Sequence, residues 1–330
     1  MSKTLHLVLK FPVDYIIAGG TTDTITEHKQ LCEYKNRLIW GQGSNKSTSV
    51  VTKKNRDRVQ EQISNGIDTY SFFLANNKGE RELYVGKMIN IFDKGEIPEG
   101  SPLTEYIPSY YSSNVGTEND RSNLYVDVNT FFKIDLGYID NMTVESSGNK
   151  IPFDRNSTPT FLVNINIELD NLLFKLLNNP EANFQYQVEQ EEVPDYVTVV
   201  DQPNDKPSKT SGSGSSSYKR DYNTAKTAIV TAEYRCEIDA SHEGCISRVT
   251  HKNYVEAHHL IPIEYQDDFA NSVDVEANIV SLCVGCHKKL HHAAYTVIKP
   301  LIEKLYDERI DRLRYCDVEL TKSKLLSYYK

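Results

Sequence analysis

The stretch "SLCVGCHKKLHHA", residues 281–293, places two cysteines and three histidines within thirteen positions. Thiolates and imidazoles are the side-chain groups that zinc and related ions bind best in proteins. Cys283 and Cys286 form a C-x-x-C pair, a spacing that lets two thiolates hold one ion. The stretch therefore predicts a metal site, and its histidines belong either to that site or to a second one.

The cysteine pair needs two further ligands to form a closed tetrahedral site. The upstream stretch "RCEIDASHEGCISRV" offers Cys236, His242 and Cys245. Cys236 together with either His242 or Cys245 completes the set. We therefore expect a structural zinc site that joins the pair to Cys236 and to one of these two residues.

The histidines of the stretch indicate a second ion. Neighbouring residues on a helix point about 100° apart, so His287 cannot easily bind the ion that Cys286 binds. His287 and His291 are four residues apart and share one helix face. We expect them to contribute to an open, catalytic metal site.

The segment "YVEAHHLIPI", residues 254–263, predicts a strand that ends in a turn at its proline. Adjacent residues of a strand face opposite ways, so His258 and His259 should have different tasks. In phosphodiester hydrolysis one histidine can bind a divalent cation that neutralises the phosphate. The other can take a proton from the attacking water, since the ordinary pKa of imidazole lies near neutral pH. The amide of Asn278 could hydrogen-bond across the intervening loop and hold the two arms in register.

The order "VEAHHLIP…ANIVSLCVGCHKKLHH" resembles the HNH endonuclease family, specifically the zinc-stapled branch of McrA-like restriction enzymes, over about residues 230–295. The resemblance implies a ββα-metal fold, in which two strands carry the histidine pair and the asparagine and a helix carries the last histidine. It also implies hydrolysis of phosphodiester bonds with a divalent ion, namely Mg²⁺, Mn²⁺ or Ni²⁺.

Position by position, the resemblance implies that His258 is a metal ligand and His259 the general base. Asn278 corresponds to the residue that orients the loop, and His287 to the second metal ligand. His291 matches a third ligand that some branches use. Glu256 lies two residues before His258, but no role is assigned to it.

The resemblance also implies that Cys236, Cys283 and Cys286 bind structural zinc. Related sequences have a bulky apolar residue where this chain has Cys245. This favours His242 as the fourth ligand, with Cys245 as the alternative.

Residues 201–217, "DQPNDKPSKTSGSGSSS", predict a flexible linker, because Gly, Ser, Pro and Lys bury little apolar surface. A chain of 330 residues is long for a single core. We therefore expect a domain at 1–200 and a second domain at 218–330, in a protein of the α+β class.

The first of these domains is predicted to be mixed α/β with a curled sheet. Its strand-like runs are β-branched or aromatic and are separated by Gly, Asn, Asp or Pro. They are "TLHLVLK", "TYSFFLA", "ELYVGKMINIF", "LYVDVNTFFKID" and "FLVNINIEL", with helical patterns near 26–39 and 56–65. In the second domain, residues 298–315 predict an amphipathic helix that has Pro300 in its first turn.

Residues 63–92, "ISNGIDTYSFFLANNKGERELYVGKMINIF", resemble EVE, YTH and other PUA-like domains. Such domains bind a flipped, modified base in an aromatic-lined pocket. The resemblance makes Trp40, Tyr70 and Tyr84 candidates for the walls of such a pocket, although an isolated Trp is more often part of a core.

The segment "KSTSVVTKKNRDR" is a candidate for contacts with a phosphate backbone. A solvated surface is the alternative interpretation. Its cations are Lys46, Lys53, Lys54, Arg56 and Arg58.

A base reader joined to an HNH nuclease resembles a modification-dependent, type IV-like restriction enzyme that acts on double-stranded DNA in bacterial defence. HNH nucleases make few base-specific contacts, so another module must select the target. Three alternatives remain: a defence nuclease gated by a nucleotide second messenger or a partner, a type II enzyme for unmodified DNA, and a non-catalytic zinc-stabilised DNA-binding module. Because HNH sites cut one strand at a time, double-strand cleavage would require a homodimer.

The composition limits the class of protein further. A net charge of −9 argues against generalised coating of nucleic acid. No apolar run approaches the roughly 18 residues that a membrane span needs, and the first residues do not form a signal peptide. We therefore expect a cytoplasmic protein, in which the six cysteines are metal ligands or buried thiols before disulfides.

Overall fold

A computed structural model gives the structure of the chain. It describes residues 4–14, 22–43, 51–152, 159–207, 209–212 and 215–330. Contacts between Cα atoms divide the chain into two compact units. Unit 1 contains Met1–Phe174 with Thr210–Ser215, and unit 2 contains Lys175–Lys209 with Ser216–Lys330. Among the described residues, no helix has the length and apolar character to cross a membrane.

Unit 1 is built on a mixed sheet, which has eight strands in the described part of the chain. The strands are β1 (His6–Pro12), β2 (Leu38–Gly43), β3 (Tyr70–Asn77), β4 (Glu80–Asp93), β5 (Ser122–Val128), β6 (Phe132–Ile134), β7 (Met142–Val144) and β8 (Thr160–Ile165). The helices are α1 (Thr24–Lys35), α2 (Lys53–Ser64), α3 (Ser109–Ser112) and α4 (Ile167–Asn178), the last of which contains the division between the units.

The strand order is β2-β5-β4-β3-β1-β8-β7, with β6 paired to β4. Only the β1–β3 pairing is parallel among the described strands, and the others are antiparallel. Each of the five predicted strand runs contributes to a strand, but the last continues into α4 from Ile167. Helices α1 and α2 occupy most of the two predicted helical ranges, although residues 38–39 are in β2. The mixed α/β content and the mostly antiparallel sheet are compatible with the predicted α+β class.

The three aromatic residues predicted to line a base pocket do not share one pocket. Trp40 is only 3% exposed and packs in the core, with its ring 6.1 Å from that of Phe131. Tyr84 stacks on the other side of this cluster, 5.3 Å from Phe131. Tyr70 lies on the opposite face of β3 and stacks on His6 at 5.1 Å. An odd number of positions separates Tyr70 from the aromatic residue of β3 that joins this cluster. Because side chains alternate along a strand, Tyr70 and the cluster lie on opposite faces of the sheet.

The predicted basic segment is not a free basic surface. Lys46 lies outside the described residues, and the other four cations are on α2. Three of these four are ion-paired: Lys53 with Asp57, Arg56 with Asp93 and Arg58 with Glu145. The side chain of Arg56 is only 12% exposed, so it stabilises unit 1 internally. Nearby carboxylates thus offset most of the charge that would attract phosphate, and Lys54 alone of the four has no partner among these pairs.

Unit 2 places an antiparallel strand pair between helices. Its helices are α5 (Pro180–Gln190), α6 (Tyr222–Thr231), α7 (Val284–His292), α8 (Tyr295–Tyr315) and α9 (Lys322–Ser327), and its strands are β11 (Glu256–His259) and β12 (Ile279–Leu282). One core lies between β12 and α7–α9, and a second joins α5 and α6 to the strand pair. Helix α8 begins earlier than predicted, at Tyr295, so Pro300 is in its second turn and not in its first.

Unit 2 begins before the predicted boundary at residue 200. Helix α5 packs on the edge of β11, where the Gln185 amide donates to Ala257 O (2.7 Å) and accepts from Ala257 N (2.9 Å). An amide side chain here completes the hydrogen bonds of an edge strand. A contact between residues so distant in the chain leaves no trace in local composition.

The first part of the predicted flexible linker also packs on unit 2. Asp201 accepts two hydrogen bonds from the guanidinium of Arg312, at 2.7 and 2.9 Å. Asn204 O accepts a hydrogen bond from Ser272 N at 2.8 Å. Further along, β9 (Lys209–Gly212) and β10 (Ser215–Tyr218) pair with each other. Within the predicted tether, Asp201 and Asn204 thus have partners in unit 2 that the composition does not show.

We predict that Gln185→Ala lowers the free energy of unfolding of unit 2 by about 1–3 kcal/mol, because it leaves both polar groups of Ala257 buried without partners. The measurement is urea denaturation of the full chain. Gln30→Ala, at an exposed site on α1, is the control and should change stability by less than about 0.5 kcal/mol. Equal stability of the two variants would contradict the assignment of α5 to unit 2.

Candidate active site

Strand β11 separates the two adjacent histidines. It pairs with β12 so that His258 lies opposite Val280 and His259 opposite Ile279. Both imidazoles are buried, each with 6% exposure. Because side chains alternate along a strand, His258 points towards helix α7, while His259 lies 6.0 Å from the ring of Phe184 on α5.

His258, His287 and His291 converge on one point. Each offers a ring nitrogen, and the three nitrogens lie within 4.8 Å of one another. Nε2 of His291 is 3.1 Å from Nε2 of His287. Two nitrogens bound to one tetrahedral zinc ion at about 2.0–2.1 Å lie about 3.3 Å apart. The three imidazoles therefore fit a divalent ion, and three protein ligands leave coordination positions for water or substrate.

Oxygen partners fix the proton positions of two of these ligands. Nδ1 of His287 donates to Oε2 of Glu256 at 2.6 Å, which leaves its Nε2 with a lone pair. The hydroxyl of Tyr329 donates to Leu260 O (2.7 Å) and so accepts from Nε2 of His258 (3.1 Å). That bond leaves the lone pair of His258 on Nδ1. Such hydrogen bonds to the second ring nitrogen orient metal-binding histidines and select their tautomer.

The local electrostatics favour the neutral forms of His258 and His291. Burial, together with the neighbouring imidazoles and the Arg220 guanidinium, lowers the pKa of His258 well below its ordinary value. Burial and the charge of His287 also lower the pKa of His291. Burial acts to raise the pKa of Glu256, but the hydrogen bond and charge of His287 outweigh it and lower that pKa overall. Two of the three imidazoles, His258 and His291, are thus favoured in the neutral form that binds metal, and Glu256 is favoured in its ionised form.

His259 is bound to a carboxylate instead of to this group. Its Nε2 lies 2.7 Å from Oδ1 of Asp274, and the two side chains are 6% and 5% exposed. This hydrogen bond occupies only one of the two ring nitrogens. The pair resembles, in its local chemistry, a general base held by a buried acid.

Asn278 joins the two ends of the loop between β11 and β12. Its amide oxygen accepts from Ile261 N at 2.7 Å, and its amide nitrogen donates to Ile261 O at 3.0 Å and to Val273 O at 2.8 Å. The residue is fully buried, so each bond is protected from water. These contacts are those that a loop-orienting residue needs.

The cysteine-rich group is separate from the histidine group. Its members are Cys236, His242, Cys283 and Cys286, whose ligand atoms lie within 4.8 Å of one another. Nδ1 of His242 is 3.6 Å from Sγ of Cys283 and 3.4 Å from Sγ of Cys286. A sulfur and a nitrogen on one tetrahedral zinc ion lie about 3.5 Å apart. Cys245, the alternative fourth ligand, is exposed and lies outside the group.

The pKa values of two thiols in this group are shifted in opposite directions. Burial acts to raise the pKa of Cys236, but hydrogen bonds from backbone groups near Cys283 and Asp239 and from His242 lower it to about 7. Burial and the adjacent thiols raise the pKa of Cys286 to about 12. The Cys236 thiolate thus forms readily, and its negative charge then opposes ionisation of Cys286. A zinc ion removes this conflict, because it binds thiolates directly.

Helix α7 connects the two groups. It begins after Cys283, whose Sγ accepts a hydrogen bond from Cys286 N at 3.4 Å and so caps the helix. Cys286 then faces the cysteine group, while His287 faces the histidines. Cys286 and His287 thus belong to two different groups, as expected. The elements follow the order strand, strand, helix.

Several residues near the histidines carry no signal in the sequence. The guanidinium of Arg220 lies 3.8 Å from the ring of Phe184 and pairs with Glu181 at 2.7 Å. Tyr329 is 71 residues from His258. Asp274 lies in the loop between the histidine pair and Asn278, but no spacing rule relates it to His259. Only Glu256 could have been found, since it shares a strand face with His258 two residues on.

Comparison with known proteins adds little to this geometry. No family model matches the chain, and no curated protein matches it. Among solved structures, it is similar to the type IV phosphorothioation-dependent restriction endonuclease ScoMcrA, with 13% sequence identity and a TM-score of 0.23. The similarity covers 89% of this chain and 47% of that one, so the chain spans about half the length of its neighbour. A TM-score of this size does not establish a shared fold.

We predict that the purified protein retains about one zinc ion per chain after dialysis against a weak chelator. Cys286→Ser should release this ion, because a hydroxyl is a poor zinc ligand and the site has no spare thiol. Metal analysis by mass spectrometry measures the difference. Cys245→Ser is the matched control and should keep its zinc. Zinc loss in the Cys245 variant together with retention in a His242→Ala variant would reverse the choice of fourth ligand.

Proposed function

We propose that this protein is a metal-dependent DNA endonuclease of the HNH type. The observation that carries the proposal is the position of His259, a buried imidazole bound to a carboxylate and adjacent in the chain to a three-histidine group that fits a divalent ion. Metal ligands on one side of a strand and a base on the other are the parts that phosphodiester hydrolysis needs.

In this proposal His258, His287 and His291 would hold a divalent ion such as Mg²⁺, Mn²⁺ or Ni²⁺. A bound ion would neutralise charge on the scissile phosphate and stabilise the leaving oxygen. His259 takes the proton of the attacking water, and the Asn278 bridge keeps its strand aligned with the loop. A zinc ion held by Cys236, His242, Cys283 and Cys286 would have a structural role, since four protein ligands would leave no open position.

The position of Arg220 supports the proposal that the substrate carries a phosphate. Its positive charge is close enough to His258 to contribute to lowering the pKa of that imidazole. The guanidinium is held against Phe184 and by Glu181, and thus it is ordered before a substrate arrives. A planar, oriented guanidinium is suited to binding a phosphate through two hydrogen bonds.

We further propose that the substrate is modified double-stranded DNA and that unit 1 selects it, as in a modification-dependent restriction enzyme. The support is that the described residues contain one three-histidine group, while most HNH specificity comes from other modules. One centre cuts one strand, so complete cleavage would need two chains. A homodimer would then convert supercoiled plasmid directly to linear DNA, whereas a single chain would accumulate nicked circles.

We predict that the wild-type protein cleaves plasmid DNA with Mg²⁺, Mn²⁺ or Ni²⁺ and that His259→Ala lowers the rate by about 10²–10⁴-fold, the usual contribution of a general base. Gel analysis of cleavage measures the rate. His292→Ala, an exposed histidine of α7 outside both groups, is the control and should match the wild type. If the wild type and His259→Ala give the same plasmid profiles, the nuclease mechanism is wrong. The result would then favour the alternative function, a non-catalytic DNA-binding module.

We predict that one modified substrate is cut about 10³-fold faster than unmodified DNA, the lower end of usual discrimination between specific and non-specific sites. The panel contains cytosine-methylated, hydroxymethylated, glucosylated and adenine-methylated DNA, with phosphorothioate linkages as a further arm. Equal cutting of all substrates would exclude modification dependence and favour a type II enzyme. Cutting that appears only after small nucleotides are added would favour a gated defence nuclease.

A further inference from the structure

We propose that Asp274 is the positioning residue for the general base His259. This inference rests on the nuclease function proposed above, but it concerns a residue to which neither the metal motif nor the resemblance assigns a role. The contact is a hydrogen bond of 2.7 Å between Nε2 of His259 and Oδ1 of Asp274.

Hydrogen bonds hold both the carboxylate and the backbone N of Asp274. Its second carboxylate oxygen accepts a hydrogen bond from Asp221 N at 2.5 Å, at the start of α6. Its backbone N donates to Oγ of Ser272 at 3.0 Å. The residue is 9% exposed, so water competes little for these bonds. A carboxylate that is held in this way has one oxygen left, and that oxygen is directed at His259.

The contact decides which nitrogen of His259 is the base. An ionised carboxylate can only accept, so the proton of the neutral imidazole lies on Nε2 and the lone pair lies on Nδ1. Nδ1 then takes a proton from water while the water oxygen bonds to phosphorus. The bond from phosphorus to the leaving sugar oxygen breaks, and that oxygen takes a proton from solvent. Asp274 keeps its charge throughout and stabilises the imidazolium that forms.

The packing around His259 makes this orientation necessary. Phe184 lies 6.0 Å from the imidazole ring and offers it no hydrogen bond. Without the carboxylate, the ring could rotate or place its proton on Nδ1, and either change removes the lone pair from the water. Elsewhere, replacing the acid of a base–acid pair by its amide leaves the geometry intact but lowers turnover by about 10⁴-fold, because the wrong tautomer is held.

The first test is Asp274→Asn in the full, zinc-loaded chain. We expect kcat to fall by about 10²-fold or more, while the Kd for DNA and the zinc content stay within about threefold of the wild type. Asp267→Asn is the matched control, because Asp267 is an exposed carboxylate in the same loop whose partners are Lys209 and Tyr218. It should retain full activity. A kcat for Asp274→Asn that equals that of Asp267→Asn would overturn the proposal.

The second test depends neither on cleavage nor on the folding of Asp274→Asn. The ¹⁵N spectrum of histidine-labelled wild-type protein, with the His259 signals assigned from a His259→Gln sample, reports the tautomer directly. We expect a protonated Nε2 and an unprotonated Nδ1. The opposite tautomer would overturn the proposal. If the wild type shows the expected tautomer but cuts no DNA with any divalent ion, the nuclease function fails while the positioning by Asp274 stands.

Discussion

Helix α7 is the element on which the rest of unit 2 depends, because adjacent residues on it serve two different groups. Cys286 contributes to the cysteine group, and His287 contributes to the histidine group. The helix has only nine residues, and a helix of this length is unstable in isolation. Its stability must come from packing and from the Cys283 cap, and a metal ion held by the cysteine group would add to it. The position of the histidines thus depends on the cysteines.

The second constraint is that each buried imidazole near the centre has an oxygen partner. His287 is paired with Glu256, His258 with the Tyr329 hydroxyl, and His259 with Asp274. The three oxygens come from β11, from the residues after α9 and from the loop before β12. Because each partner fixes one ring nitrogen, the other nitrogen of each imidazole is directed before any ligand binds. Pre-orientation of this kind reduces the free energy needed to reach a reactive geometry.

Local patterns predicted the parts of this site that depend on spacing. The C-x-x-C pair, the histidines four residues apart and the alternation of His258 and His259 each follow from helix or strand geometry. Tyr329 could not be predicted, since 71 residues separate it from His258 and no periodicity relates them. The same limit explains the linker, where Asp201 finds Arg312 far along the chain. Composition reports whether a segment can bury apolar surface, but it does not report which charges the folded chain will supply.

The predictions for the basic and aromatic segments of unit 1 meet a related limit, because the sequence of a segment does not show which residues of the folded chain lie beside it. The cluster of Lys53, Arg56 and Arg58 looks free in the sequence, although Asp57 on the same helix pairs with Lys53. The carboxylates that pair with Arg56 and Arg58 come from distant parts of the chain. Trp40 and Tyr70 look similar in the sequence, yet the pleat of the sheet directs them to different faces. Residue type alone therefore does not distinguish a binding surface from a core, whereas paired residue types at a fixed spacing do predict a site.

The shared helix also decides how metal dependence must be interpreted. Removing all metal with a strong chelator would disturb both groups, because the cysteine group holds the helix that carries His287 and His291. Loss of activity after chelation would then be consistent with either a structural or a catalytic ion. Substitution separates the two cases. A change at Cys286 should reduce both stability and zinc content, whereas a change at the half-exposed end of the histidine group, at His291, should affect the divalent ion while α7 remains in place.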